Sequence, residues 1–390
     1  MKEGWSYKKL GEVIDNLRTG LNPRVHFKLN TDDATGYYIT VRELKGFEFR
    51  VDAKTDRINE QAIRRINERS NLKIGDVLYS GTGTIGRTAV VNELPTWWNI
   101  KEGVYAITLN STKLNPYYFV YATHSDSFKK RVLARTSGTT VRSIPMKELK
   151  EIPLLVPPLS EQHSIVTRLD AAFSHIDALK ANAEKQLNEA RKLFQAELTE
   201  CMKPKEGWEE RKLGEVCEVI SGQSPEGKYY NTDGQGTPFY QGKKEFSFKY
   251  IGEPTMWTTA ETKIATKGDL LMSVRAPVGD VNFATQRLCI GRGLAAIRTK
   301  EEIDKEYLFY YLVGKKSCIK GKEGVGFASI NRKEIMDIGI QYPEDLSAQH
   351  SIVSHLDSLS STIRKLEELQ QKTLAECDAL KQAMLREVFE

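Results

Sequence analysis

Apolar residues recur at alternating steps of three and four along two long polar stretches of this chain. In the first, Leu169, Ala172, Ile176, Leu179, Ala183, Gln186, Ala190 and Leu193 fall on one helical face. In the second, Leu356, Leu359, Ile363, Leu366, Gln370, Thr373, Cys377, Leu380 and Met384 do the same. The spacing predicts two amphipathic helices of about four heptads, with Glu, Lys, Arg and Gln outside a narrow seam. So narrow a stripe is unstable alone, so each helix needs a partner, and the other copy is the obvious one. The plainer alternative is two separate helices, each lying on its own globular domain. Ser160 and Ser347 are suited to cap the helix starts, because a serine hydroxyl can accept from unpaired first-turn N–H groups. Prolines just upstream set off what precedes.

Both helices open on one repeated text. LSEQHSIVTRLD at 159–170 returns as LSAQHSIVSHLD at 346–357, with nine of twelve positions identical. The N-terminal KEGWSYKKLGEV (2–13) returns as KEGWEERKLGEV (205–216), again with nine of twelve. The copies lie 203 residues apart at this opening, 193 at LKIGDVLYS and ATKGDLLMS (72–80 and 265–273), and 187 at the helix start. The chain is therefore built twice. All of the length change falls inside the globular parts, where 24–70 and 224–265 have little in common. A fixed frame with two interiors suits two readers built on one scaffold; ordinary drift in loops after duplication would look the same.

The pattern divides the chain into a globular part at 1–157, a helix at 158–203, a second globular part at 204–344 and a helix at 345–390. Each globular part reads as mixed, with short strands dominating. Residues 103–109 and 293–299 read as core strands, and 115–132 and 305–320 as helices. Tyr117, Phe119 and Tyr121 align with Tyr307, Phe309 and Tyr311 as core aromatics. Short polar loops, 135–144 and 322–330, follow.

Composition adds limits. Net charge is +5 with a pI of about 8.7, which permits nucleic acid as a partner without requiring it. Five scattered cysteines without a CxxC pair suggest neither a disulfide framework nor a zinc site, and fit a reducing cytoplasm. No stretch approaches a membrane span, and MKEGWSYKKL lacks a secretory core.

Chemical motifs fail on context. Gly81-Thr-Gly83-Thr-Ile-Gly86 satisfies GxGxxG, but the residues after it read as a strand rather than a phosphate-binding helix. Asn115-Pro116-Tyr117-Tyr118 is close to the base-holding tetrapeptide of amino-methyltransferases, yet it sits at a helix start. The six histidines lie at no metal spacing. No catalytic, cofactor or metal constellation is present in the text of the chain. Basic and polar residues do gather on predicted loops. The candidates for contact with DNA are Arg24, Arg42, Thr82, Thr84, Arg87 and Arg142 in the first half. In the second they are Gln223, Tyr229, Gln241, Lys243, Lys244, Arg275 and Arg292. Arg pairs with guanine and Gln with adenine in the major groove, while Lys and further Arg suit phosphates. Arg87 and Arg275 stand out, because each follows a strand at a tight turn. If Arg275 reads a base, Arg275→Ala should relax base preference by about 1–3 kcal/mol.

Three features together resemble the specificity subunits of type I restriction-modification systems over the whole chain. They are PPLSEQHSIV at 157–166 with its second copy, the repeated WxxxKLGEV opening, and the GD(V/L)L(Y/M)S strands. The second helix start departs from the pattern, with Pro343-Glu344-Asp345-Leu346-Ser347-Ala348. The resemblance implies an α+β chain of two target recognition domains, each a mixed α/β globule. They alternate with two long helices that pair as an antiparallel coiled coil in a pseudo-two-fold internal repeat. It implies a non-catalytic, cytoplasmic subunit that reads one half of a bipartite, asymmetric double-stranded DNA target with each domain. The paired helices would set the spacer and dock two modification (methyltransferase) subunits, which carry the S-adenosylmethionine. Restriction (translocase/nuclease) subunits would join them, and no cofactor or membrane would be bound by this chain. About 35 helical residues span roughly 50 Å, enough for half-sites about 34 Å apart. The competing class is a coiled-coil adaptor whose globular ends bind proteins.

Overall fold

The computed structural model describes residues 4–138, 141–319 and 328–390. Of the two predicted polar loops, residues 139, 140 and 322–327, and also Lys320, lie outside the described residues. The two heptad stretches are helices Leu159–Cys201 and Leu346–Phe389. The chain divides into one unit of Met1–Asn182 with Lys372–Glu390 and another of Ala183–Gln371. Each unit therefore takes one globular part, the beginning of one long helix and the end of the other.

In the first unit, Ser6–Lys9 pairs antiparallel with Pro153–Val156, so the repeated opening lies beside the strand that feeds the long helix. A four-stranded antiparallel sheet runs in the order Ile14–Thr19, Val104–Leu109, Val77–Ser80, Thr88–Val90. A second sheet of Arg57–Ile58, Gly36–Ile39 and Trp98–Ile100 carries helix Glu60–Ser70. The main core joins Val77, Tyr105, Tyr118 and Phe119 to Ile165 and Leu169 of one long helix and Leu385 and Phe389 of the other.

The second unit repeats that frame. Trp208–Lys212 pairs with Gly339–Pro343, and the four-stranded sheet is Cys217–Ser221, Leu294–Thr299, Leu270–Ser273, Val281–Phe283. Its other sheet differs, with five strands: Tyr230–Asn231, Trp257–Thr258, Thr237–Tyr240, Leu288–Ile290 and Ile264–Ala265. The difference falls where the two sequences diverge. The core is closed in the same way, by Leu198 and Met202 at the end of one long helix and Val353 and Leu356 near the start of the other.

The repeated text has a structural role in each unit. Gln162 is fully buried; its amide oxygen accepts from Asn115 N at 2.8 Å, and its NH2 donates to the carbonyls of Lys113 and Pro157 at 2.9 and 2.8 Å. Gln349 does the same with Asp304 N, Glu302 O and Pro343 O, at 2.8, 3.2 and 2.8 Å. The closing aspartates, Asp170 and Asp357, each accept from a tyrosine hydroxyl at 2.6 Å, that of Tyr121 and Tyr310 respectively. This sets the true alignment of the aromatic helices. Tyr118 corresponds to Tyr307, each donating to a strand carbonyl at 2.8 Å, and Tyr121 to Tyr310. The expected alignment of Tyr121 with Tyr311 was off by one, because the capping residues Asn115 and Asp304 fix the register.

The long helices pair antiparallel within each unit. In the first, Lys180 meets Asp378, and Lys381 Nζ donates to Asp177 at 2.5 Å. In the second, Arg191 donates to Glu367 at 2.6 Å and His355 meets Glu197 at 2.9 Å. Six of the nine leucine and isoleucine seam positions hold. Leu169, Ile176 and Leu356 are buried, and Leu359, Ile363 and Leu366 are half-buried. Leu179, Leu193 and Leu380 do not belong to it, being 58%, 72% and 51% exposed. The inward positions are Phe173, Lys180, Leu187 and Phe194, one residue later at each second seam position, so the Lys180 stem lies inside with its ammonium reaching Asp378. The helix starts also differ from expectation. Both begin one residue before the serine, and in the second copy Asp345 accepts from Ser347 N at 2.9 Å in the capping role expected of Ser347.

Candidate nucleic-acid interface

In both units a core strand ends in a turn pinned by one hydroxyl. Ser80 Oγ donates to Thr84 O at 2.7 Å and accepts from Arg87 N at 2.8 Å. Ser273 Oγ donates to Pro277 O at 2.9 Å and accepts from Asp280 N at 3.0 Å. Each turn is then bridged to the following polar loop, Thr82 to Ser143 and Arg275 to Ser329. Arg275 is thus the structural counterpart of Thr82, while Arg87 corresponds to Asp280.

In the first unit this bridge gathers Thr82, Thr84 and Arg142, with Gly83 N donating to Arg142 O at 2.9 Å. Beside it a cavity of about 460 Å³ is lined by Thr40, Arg42, Thr82, Lys101, Glu102 and Val141. Arg42 is held rather than free. Its Nε donates to Glu43 at 2.7 Å, and Glu43 also accepts from the Thr40 N–H and hydroxyl at 2.9 and 2.7 Å. Burial acts to raise the Glu43 carboxyl, but the hydrogen bonds from Thr40 and Arg42 keep it below the usual carboxylate range. Arg87 is exposed and touches Val41 O at 3.3 Å. Arg24 is exposed on a one-turn helix, Pro23–His26, capped by Asn22.

In the second unit Gln223, Gln241 and Arg292 are all exposed, and Ser224 joins the Gln241 side chain to the Arg292 backbone. The Ser224 hydroxyl donates to Gln241 Oε1 at 2.9 Å and accepts from Arg292 N at 3.2 Å, while Gln223 N donates to Ile290 O at 2.9 Å. Arg275 is exposed at its turn, Lys244 is exposed nearby in sequence, and Tyr229 is 38% exposed with the Lys228 ammonium 4.9 Å from its ring centre. Lys243 is half-buried and engaged within the protein. Its ammonium is paired with Asp280, which Lys316 also holds. Burial acts to raise Asp280, but the two lysines keep it below its ordinary value. Lys243 therefore fastens a turn.

The glycine-rich turn leads into strand Thr88–Val90, so no helix N-terminus faces it. The Asn115 side chain is engaged in capping helix Pro116–His124. Among the described residues one group could reach a metal: Glu197, Cys201 and His355, whose ligand atoms lie within 4.8 Å of one another. Sequence spacing could not show it, because the histidine comes from the other long helix. As it stands it is hydrogen-bonded, with one Glu197 oxygen accepting from Cys201 Sγ at 3.8 Å and meeting His355 Nε2 at 2.9 Å. Sequence reasoning also missed Ser224, which carries no signal until the loops are brought together.

The family model for the type I restriction modification DNA specificity domain matches residues 2–189 and 205–375. A protein of Methanocaldococcus jannaschii assigned as the MjaX type I restriction enzyme specificity subunit is 32% identical over 395 residues, covering 93% of this chain and 88% of that protein. The EcoBI type I restriction enzyme specificity subunit of Escherichia coli is 20% identical over 331 residues, covering 74% and 68%. Among solved structures, a chain of a type I restriction-modification system, described for its assembly and conformational transition, superposes with a TM-score of 0.82 at 26% identity, covering 100% of this chain and 98% of that one. The HsdS subunit from Thermoanaerobacter tengcongensis gives 0.59 at 26% identity, covering 100% and 97%.

Proposed function

The chain belongs to the family of type I restriction-modification DNA specificity subunits, and we propose that its two units read two different halves of one asymmetric duplex sequence. The observation that carries this reading is the comparison of equivalent positions. One frame of strands and pinned turns presents Thr82 where the other presents Arg275, each bridged to the polar loop that follows. Different donors on one frame read different bases. Phosphate contacts from exposed residues such as Lys244 hold the duplex without specifying it.

The chain carries no catalysis of its own in this reading. The paired helices set the unread spacer and dock two modification subunits, which bring S-adenosylmethionine, and restriction subunits join the same assembly. The work of this chain is binding, positioning and presentation. No helix among the described residues is long and apolar enough to cross a membrane.

The test is methylation sequencing of cells carrying the partner modification gene, with and without this one. A gapped motif with unlike halves and a fixed spacer should appear only with this gene. A palindromic motif would refute the two-reader assignment. No motif, together with no salt-dependent duplex affinity of the purified complex, would refute DNA reading altogether.

A further inference from the structure

We propose that Gln241 and Ser224 form a preset reader for the major-groove edge of one adenine in the half-site of the second unit, an assignment that rests on the DNA-reading function above. Gln241 follows strand Thr237–Tyr240, which pairs parallel with Leu288–Ile290. The connection beyond that partner strand is Gly291-Arg292-Gly293. Gly291 N donates to Tyr240 O at 2.8 Å, and Gly293 N to Gln241 O at 3.1 Å. A Cβ at Gly291 would come within 2.9 Å of Gln241 Cα and Oε1, and one at Gly293 within 2.5 Å of Gln241 O. The two glycines let the Gln241 backbone sit down against the loop while its side chain stays exposed.

The amide is also oriented. The Ser224 hydroxyl donates to Gln241 Oε1 at 2.9 Å while accepting from Arg292 N at 3.2 Å, so the amide oxygen is the atom turned to Ser224. That leaves the Gln241 NH2 outward, with no protein acceptor among the described residues, beside a second lone pair on Oε1. A donor and an acceptor side by side are the complement of adenine N6 and N7. Arg275 and Arg292 are also exposed, and neither guanidinium has an ion-pair partner among the described residues, so two cations are available to this unit's reading loops.

The frame itself does not require this pair. In the first unit Ile39 O accepts from Lys101 N at 2.8 Å, as Tyr240 O does from Gly291 N, which aligns Thr40 with Gln241 and Glu102 with Arg292. There the Thr40 hydroxyl is turned inward to Glu43, and Asn22, in the place of Ser224, caps a one-turn helix. At this place in the frame the hydroxyl-fixed amide is present in the second unit, where the first has Thr40 and Asn22.

The experiment assembles the full complex with its modification subunits and compares motifs and duplex affinities for the wild type, Gln241→Ala, Ser224→Ala and Arg275→Ala. The wild-type motif should contain an adenine at one position that Gln241→Ala makes degenerate, with at least tenfold lost preference there. Other positions and the salt slope should be unchanged. Ser224→Ala should relax the same position by a smaller factor, because the amide is freed but not removed, and Arg275→Ala should act at another position. An unchanged motif in Gln241→Ala, or a uniform loss on every sequence with a shallower salt slope, overturns the assignment and leaves DNA reading intact. A wild-type complex without duplex affinity overturns both.

Discussion

Gln162 and Gln349 show what one buried amide can do for a chain of this design. Each joins the first turn of a long helix to the cap of a domain helix and to the strand leaving the sheet, through three hydrogen bonds. Removing such a side chain leaves buried backbone groups unpaired, at about 1–3 kcal/mol each. Gln162→Ala should therefore cost roughly 3 kcal/mol or more in a denaturant titration of the full chain; a loss below about 1 kcal/mol would show that water replaces the amide. His124 is a second residue-scale device. Burial lowers its pKa from 6.5 to about 4, and its Nε2 lies 3.1 Å from the Thr88 hydroxyl. Because the unfolded chain takes up that proton first, the native state holds its full advantage above pH 6.5 and loses it as the pH falls toward 4. The loss approaches about 3 kcal/mol. Melting temperatures of wild type and His124→Gln should therefore converge, or cross, between pH 7 and 4.5; parallel curves would mean that the ring is charged or solvated in the native state.

The long helices are where periodicity alone was ambiguous. Stepping from Leu169, the offsets to 172 or 173, 179 or 180 and 186 or 187 fit the heptad equally well, and the chain offers Ala against Phe, Leu against Lys and Gln against Leu. Partner geometry decided, because Lys180 can lie in the seam with Asp378 opposite, and Phe173 reaches the ring of Tyr121 at 5.3 Å. Leu187 is 6% exposed, whereas Leu179 is 58% exposed. In the isolated chain Leu187→Ala should cost about 2 kcal/mol and Leu179→Gln less than about 0.5. The reverse order, read by thermal melting, would restore the register written from sequence.

The whole molecule is a duplication in which neither half closes its core alone. Leu385, Val388 and Phe389 complete the first core, and Leu198 and Met202 the second. Truncation before Leu385 should accordingly melt the first unit, although it lies far along the chain from the globular part it completes. If helix length sets the spacer, seven residues added to each long helix near 182 and 371 lengthen it by ~10 Å, or about three base pairs at ~3.4 Å. The methylation motif should then keep both half-sites and widen only its gap; an unchanged gap would separate spacer length from helix length.

By itself the sequence determined the architecture: two copies, two long helices, a shared strand frame and unlike interiors. It did so because repetition and heptad spacing are properties of the chain read in order. The candidate site was legible only as residue types on loops. Arg275 and Gln241 stood out as types, but the role of Ser224, the anchoring of Arg42 by Glu43 and the diversion of Lys243 to Asp280 did not. Each of those depends on which side chains meet across segments that are distant in the chain. Tertiary structure also decided the seam register and the alignment of Tyr121 with Tyr310. Local period leaves a one-residue choice open in such helices, and only the capping groups and partner surfaces, brought together by folding, remove it.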